Sequence, residues 1–145
     1  MHRRILVPTD GTELCSMALD TALGLAKLGG GTIVGLHAYS THAAAAPPAG
    51  CVDPALLAWR HEREQQALNA LAYVRRRADE AGVRCDTVLA PEAAPFEAIE
   101  RAAHEHGCDL VVVAARARHG LRARLLGGEI EKLLAYGTVP LLIVR

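Results

Sequence analysis

"ILVPTDGTELCSMALDTALGLAKLGGGTIVGLHAY", residues 5–39, changes its period twice. The run 3–8, RRILVP, is β-branched and leucine-rich and is closed by Pro8, which reads as a buried strand. From residue 12 to 28 the apolar positions recur at three- and four-residue steps. Leu14, Met17, Ala18, Thr21, Leu25 and Leu28 mark one helical face. Thr12 suits the N-cap with Glu13 in the first turn, and Gly29–Gly31 end the helix. TIVGLHAY, 32–39, is then a second strand. Strand, helix and strand in so short a span predict a parallel βαβ unit, because parallel neighbours need a crossover.

The rest of the chain repeats this alternation. Residues 40–53, STHAAAAPPAGCVD, form a small-residue, proline-rich loop long enough to act as a lid. A long helix follows from about Pro54 to Glu80, with Leu57, Leu68, Leu71, Val74 and Ala78 expected on one face. Its RRR run, 75–77, reads as a solvated face. Residues 83–90 alternate as a strand, 94–107 form a third helix ended by Gly107, and 109–115 form a fully apolar strand. Ile130, Leu133 and Leu134 mark a short helix ended by Gly137, before a last strand at 139–145. The order βαβαβαβαβ predicts a doubly wound parallel sheet of five strands with helices on both faces, a three-layer α/β/α architecture, in one domain spanning 1–145.

Bulk composition narrows the function classes. At 145 residues and 51% apolar content the chain can bury a substantial core. Sixteen basic residues balance sixteen acidic ones, so no global field draws in nucleic acid or an anionic membrane. Aromatic residues are too few for a base-stacking platform. No apolar run is long enough for a signal peptide or a membrane span, and the cysteines at 15, 51, 85 and 108 form no Cys-x-x-Cys pair. A cytoplasmic protein with reduced thiols is expected, with neither nucleic-acid nor membrane partners.

In such a sheet, ligands bind at the carboxyl ends of the strands where the strand order reverses. With the order 3-2-1-4-5 that point lies between strands 1 and 4. The loops bordering it are PTDGT, after the first strand, and AARARHGLRARLLGG, 114–128, after the fourth.

These two segments carry a resemblance. Residues 5–39 resemble the opening of universal stress proteins: a strand, Pro-x-Asp-Gly-Ser/Thr, then a helix. CDLVVVAARARHGLRARLLGGEIEKLLAYGTVPLLIVR, 108–145, resembles their ending. The likeness covers nearly the whole chain and is weakest from about 40 to 66. It implies the strand order 3-2-1-4-5 and a homodimer formed through the last strand. The run VPLLIV, comprising Val139, Pro140, Leu141, Leu142, Ile143 and Val144, would otherwise be an exposed apolar edge on which Pro140 removes only one donor.

ATP-binding members of the family carry Gly-x-x-Gly, nine residues, then Gly-Ser or Gly-Thr. Here the four positions fall on Ala114, Ala117, Gly127 and Gly128, so only Gly127 matches. Alanine costs roughly 1–2 kcal/mol where a left-handed backbone is required. Where phosphate must approach the backbone closely, its methyl group stands in the way. Glu129 and Glu131, in the first turn of the last helix, place carboxylates where a helix N-terminus would attract an anion.

Against this, Arg116, Arg118, Arg122 and Arg124 stand in a stretch with no acid between Asp109 and Glu129. Arginine grips phosphate bidentately, so an arginine-loop site for ATP or AMP, with Mg accompanying ATP, is the alternative. The favoured reading places these arginines in water or against the acidic surface of an unidentified protein partner. The expectation is therefore a stress-response or regulatory homodimer that holds no cofactor tightly.

By resemblance the nucleotide pocket would comprise Pro8, Thr9, Asp10, Ala38, Val113, Ala114, Arg116, Ala117, Gly127, Gly128 and Glu129. Asp10 has an equally good role in ordering the turn at Gly11 or capping the first helix. His104, His106 and Cys108 lie close in sequence, but Gly107 breaks the helix between them and a metal site needs more ligands. His37 ends a strand beside the crevice and titrates near neutrality when unperturbed. No spacing identifies a catalytic residue. A slow nucleotide hydrolase is the remaining enzymatic alternative.

Overall fold

The computed structural model describes residues 2–39, 53–91, 95–115 and 128–145. The elements alternate as β1 (Arg4–Pro8), α1 (Glu13–Gly29), β2 (Thr32–Tyr39), α2 (Pro54–Ala81), β3 (Arg84–Pro91), α3 (Pro95–Glu105), β4 (Leu110–Ala114), α4 (Gly128–Tyr136) and β5 (Leu141–Val144). All strands are parallel and run in the order β3-β2-β1-β4-β5, as expected. The chain reverses its winding at β1, which pairs with β2 on one side and β4 on the other.

Side chains alternate across each strand and divide the core in two. Ile5, Val7, Ile33 and Val112 pack with Ala18, Leu19, Ala22 and Leu23 of α1 and with Val74 and Ala78 of α2. Leu6, Val34, Leu36, Val111 and Val113 pack on the opposite face with Ile99 and Ala102 of α3 and Leu133 of α4. Each face thus carries two helices.

Helix boundaries follow local chemistry. The Thr12 hydroxyl accepts the Cys15 N–H at 3.5 Å, and Asp53 caps α2 by accepting from Ala55 N at 2.9 Å. Gly30 and Gly82 end α1 and α2 in the left-handed conformation.

In α2 the expected Leu71, Val74 and Ala78 are buried, whereas Leu57 and Leu68 are not, and in α1 only Ala18 of the expected face is fully buried. Met17 and Leu28 are 41% and 85% exposed, and Leu57 and Leu68 are 51% and 42% exposed. The stripes that meet the sheet are Ala18, Leu19, Ala22, Leu23 and Ala26 in α1, and Ala67, Ala70, Leu71, Val74 and Ala78 in α2. Small residues face inward because the backbones come close. A Cβ on Gly11 would lie 3.4 Å from Ala70 Cβ, and one on Gly35 would lie 2.9 Å from Val74 Cγ1.

The RRR run is likewise not wholly solvated. Arg75 donates to Thr87 Oγ1 at 3.0 Å, while Arg77 donates to Asp20 at 2.6 Å and to the Tyr73 hydroxyl at 2.9 Å, tying α2 to α1. The contacts to Thr87 and Asp20 are exposed and each is worth little on its own. Cys15, Cys85 and Cys108 are free.

Candidate crevice at the carboxyl ends of the central strands

Three short hydrogen-bonded steps shape the turn that follows β1. Thr9 N donates to Leu36 O at 2.8 Å, carrying the β1–β2 ladder one residue further. Thr9 Oγ1 then accepts from Gly11 N at 3.2 Å, and Gly11 takes φ 81°, which an alanine would adopt only under strain. Asp10 Oδ1 accepts both the Thr12 N–H at 2.9 Å and the Thr12 hydroxyl at 2.6 Å. Asp10 therefore orders the turn that leads into α1.

Beside this turn lies a cavity of about 240 Å³ lined by Pro8, Thr9, Asp10, Cys15, Leu36, Ala38, Pro95 and Ile99. It is smaller and more open than the pockets that enclose drug-sized ligands, about 300–1,000 Å³. Among the described residues its wall is mostly apolar, with one carboxylate and no basic side chain. Burial alone would raise the Asp10 pKa, but hydrogen bonds from Thr12 and Cys15 outweigh it and leave the carboxyl below its ordinary value. Burial, with a hydrogen bond to Asp10, pushes the Cys15 thiol up. Cys15 is thus a protonated donor to Asp10 and a poor nucleophile at neutral pH.

The structure brings Pro8, Thr9, Asp10 and Ala38 together around this cavity. Val113 belongs to the buried core, and Ala114 completes β4 opposite Val144; neither lines the cavity. Ala114 is extended strand, so a glycine there would not be serving a left-handed backbone. Its side chain packs against the α1/α2 side of the core. Gly128 opens α4, and among the described residues nothing lies within 4 Å of where its Cβ would stand, leaving room for a hydroxyl-bearing side chain. Arg116, Ala117, Arg118, Arg122, Arg124 and Gly127 lie outside the described residues.

Glu129 reaches away from its own helix. Its Oε2 accepts the Phe96 N–H at 2.6 Å, and Lys132 Nζ stands 3.3 Å from Oε1. Sequence reasoning missed this contact, and it missed Cys15, Leu36, Pro95 and Ile99 as cavity wall. Cys15 alone carried a signal, since it lies one helical turn beyond the Asp-Gly-Thr turn.

His37 does not face the cavity. Leu36 and Ala38 line it, so the imidazole between them points to the α1/α2 face. Its Nδ1 is buried with no hydrogen-bond partner among the described residues. Burial lowers its pKa below 6.5; Asp10 opposes the shift and Arg63 adds to it. Folded His37 is therefore neutral where the unfolded chain already takes up a proton. Stability is full above pH 6.5 and falls as the pH drops from 6.5 through the depressed folded value. His37→Gln should flatten this acid-side decline in Tm between pH 7 and 5. An equal decline in both proteins would show that the imidazole does not contribute to it.

No group of three or more His, Cys, Asp or Glu among the described residues could hold a metal ion. Cys108 is buried beyond the end of α3, whereas His104 Nε2 pairs with Thr138 Oγ1 at 2.8 Å.

The chain matches the universal stress protein family over residues 1–145. The universal stress protein YxiE of Bacillus subtilis is 31% identical over 149 residues, with all of both chains covered. A solved member of the family from Burkholderia pseudomallei is 27% identical with a TM-score of 0.75, covering 97% of this chain and 94% of that one. An Archaeoglobus fulgidus universal stress protein solved in complex with dAMP has a TM-score of 0.71 at 16% identity, covering 99% and 98%. With the strand order, the Pro-x-Asp-Gly-Thr turn and a family match over its whole length, this chain belongs to the universal stress protein family.

Proposed function

We propose that this protein is a homodimeric regulatory or protective stress protein that acts by binding rather than by turnover, and that its crevice does not hold ATP tightly. The observation that carries this reading is the altered phosphate loop: Ala114, Ala117 and Gly128 stand where ATP-binding relatives have glycine, glycine and serine or threonine. The room beside Gly128 supports it, because the hydroxyl that ATP-binding relatives place there is missing. The dimer would form through β5, and the cytoplasm is the proposed compartment. No helix among the described residues is long and apolar enough to cross a membrane.

The test is direct. Purified protein, once denatured, should release no stoichiometric nucleotide, and calorimetry should show no micromolar ATP binding. One ATP per chain overturns the reading. A second reading, a nucleotide sensor using Arg116–Arg124 in place of glycines, draws support from the cavity and from the dAMP complex of the Archaeoglobus fulgidus relative. The same titration with AMP separates the two.

A further inference from the structure

We infer that Glu129 sets the ligand charge this crevice accepts: its carboxylate fills the position that a phosphate ester would take. The inference rests on the crevice between β1 and β4 being where a small ligand approaches.

Two helices direct their N-termini to this place. Helix α3 begins at Pro95, which has no N–H, so the first amide hydrogen it offers is that of Phe96. That hydrogen is donated to Glu129 Oε2 at 2.6 Å, a short charge-assisted bond. Glu129 also stands in the first turn of α4, where the aligned peptide dipoles favour negative charge. One carboxylate thus serves the positive ends of two helices 33 residues apart in sequence.

The contact adjoins the cavity, because the same first turn of α3 contributes Pro95 to its wall and Ile99 follows one turn later. Among the described residues the wall contains Asp10 and no basic group. Among the described residues Lys132 pairs with Glu129 at 3.3 Å and is itself half exposed. An incoming phosphate would meet an amide already occupied and two carboxylates close by. An uncharged ligand of nucleoside size meets neither obstacle.

The experiment titrates wild type, Glu129→Gln and Glu131→Gln with ATP, AMP and adenosine at low and high salt. Glutamine keeps an oxygen for the Phe96 N–H and removes only the charge. Glu131→Gln removes a charge from the same helical turn, at an exposed position. Glu129→Gln should bind AMP and ATP about tenfold more tightly than wild type, the scale of a helix-terminus charge effect, and the gain should shrink at high salt. Adenosine affinity should be the same in all three proteins, and Glu131→Gln, whose carboxylate is exposed, should gain clearly less than Glu129→Gln.

Unchanged AMP and ATP affinities in Glu129→Gln overturn the inference, as does an equal gain in Glu131→Gln. If no protein binds any of the three ligands, the inference falls while the reading of weak ATP binding stands. If wild type binds ATP with micromolar affinity and the variant binds it no more tightly, both fall. A thermal melt of each variant shows whether α3 is intact, and Glu129→Asp, which keeps the charge, should not gain affinity.

Discussion

Gly35→Val is expected to destabilise the fold by about 3 kcal/mol, near the upper end of overpacking costs. Gly35 lies in β2, paired on both sides, and its Cα–H faces α2. Even one added carbon would stand 2.9 Å from Val74 Cγ1 and 3.8 Å from Leu71 Cδ2. Val74 is buried and β-branched, so it cannot swing aside into another rotamer. Valine adds two further methyl groups to the same crowded place. The remaining response is to lift α2 off the sheet, which loosens Ala70, Ala78 and the Gly11 turn together. Urea denaturation measures the cost, and an unchanged midpoint would contradict the close approach. The double variant adds a sharper check. Gly35→Ala should cost less in a Val74→Ala background than alone, because the two sites share one space.

Leu142→Asp is expected to convert the proposed dimer to a monomer at micromolar concentration, as read by light scattering. β5 is the edge strand beside β4, only four residues long. Leu141, Ile143 and Val139 pack partly against the protein's own core, which leaves Leu142 as the outermost apolar side chain, 36% exposed. The preceding helix leaves Leu134 and Tyr136 exposed as well. Pro140 does not blunt the strand, since its carbonyl accepts the Val111 N–H at 2.8 Å and only its missing donor weakens the edge. In a two-fold interface each substitution counts twice, and burying an unpaired carboxylate costs at least about 2 kcal/mol per copy. The predicted loss is therefore on the order of a thousandfold in dimer affinity. A wild-type monomer would remove the proposed interface altogether.

Much of the fold was legible because its signals are local. Apolar runs of strand length, the caps at Thr12 and the glycine stops at Gly30 and Gly107 act within a few residues of themselves. The turn role of Asp10 was also within reach, since its partner Thr12 is two residues away. The face of α2 was legible in its C-terminal half, at Leu71, Val74 and Ala78, but that of α1 was not. Leu28 fits the helical period of α1 as well as Ala26 does, and in a chain that is 51% apolar several phases satisfy the same spacing. What selects the true phase is how near the backbones come. Gly11 and Gly35 admit α2 to a distance at which only alanine-sized residues and a few interlocking aliphatic side chains fit.

The crevice divides in the same way. Pro8, Thr9 and Asp10 are contiguous, and a turn after a strand placed them at once. Ile99 and Pro95 enter the wall only because α3 packs across the β2 and β1 face, a crossing that no sequence interval announces. By itself the sequence determined the order of elements, the turn at Asp10 and the departures at Ala114, Ala117 and Gly128, because each depends on residues near one another in the chain. Only the tertiary structure decided which face of α1 is buried and that Glu129 answers the N-terminus of α3, because those outcomes depend on how closely distant segments approach.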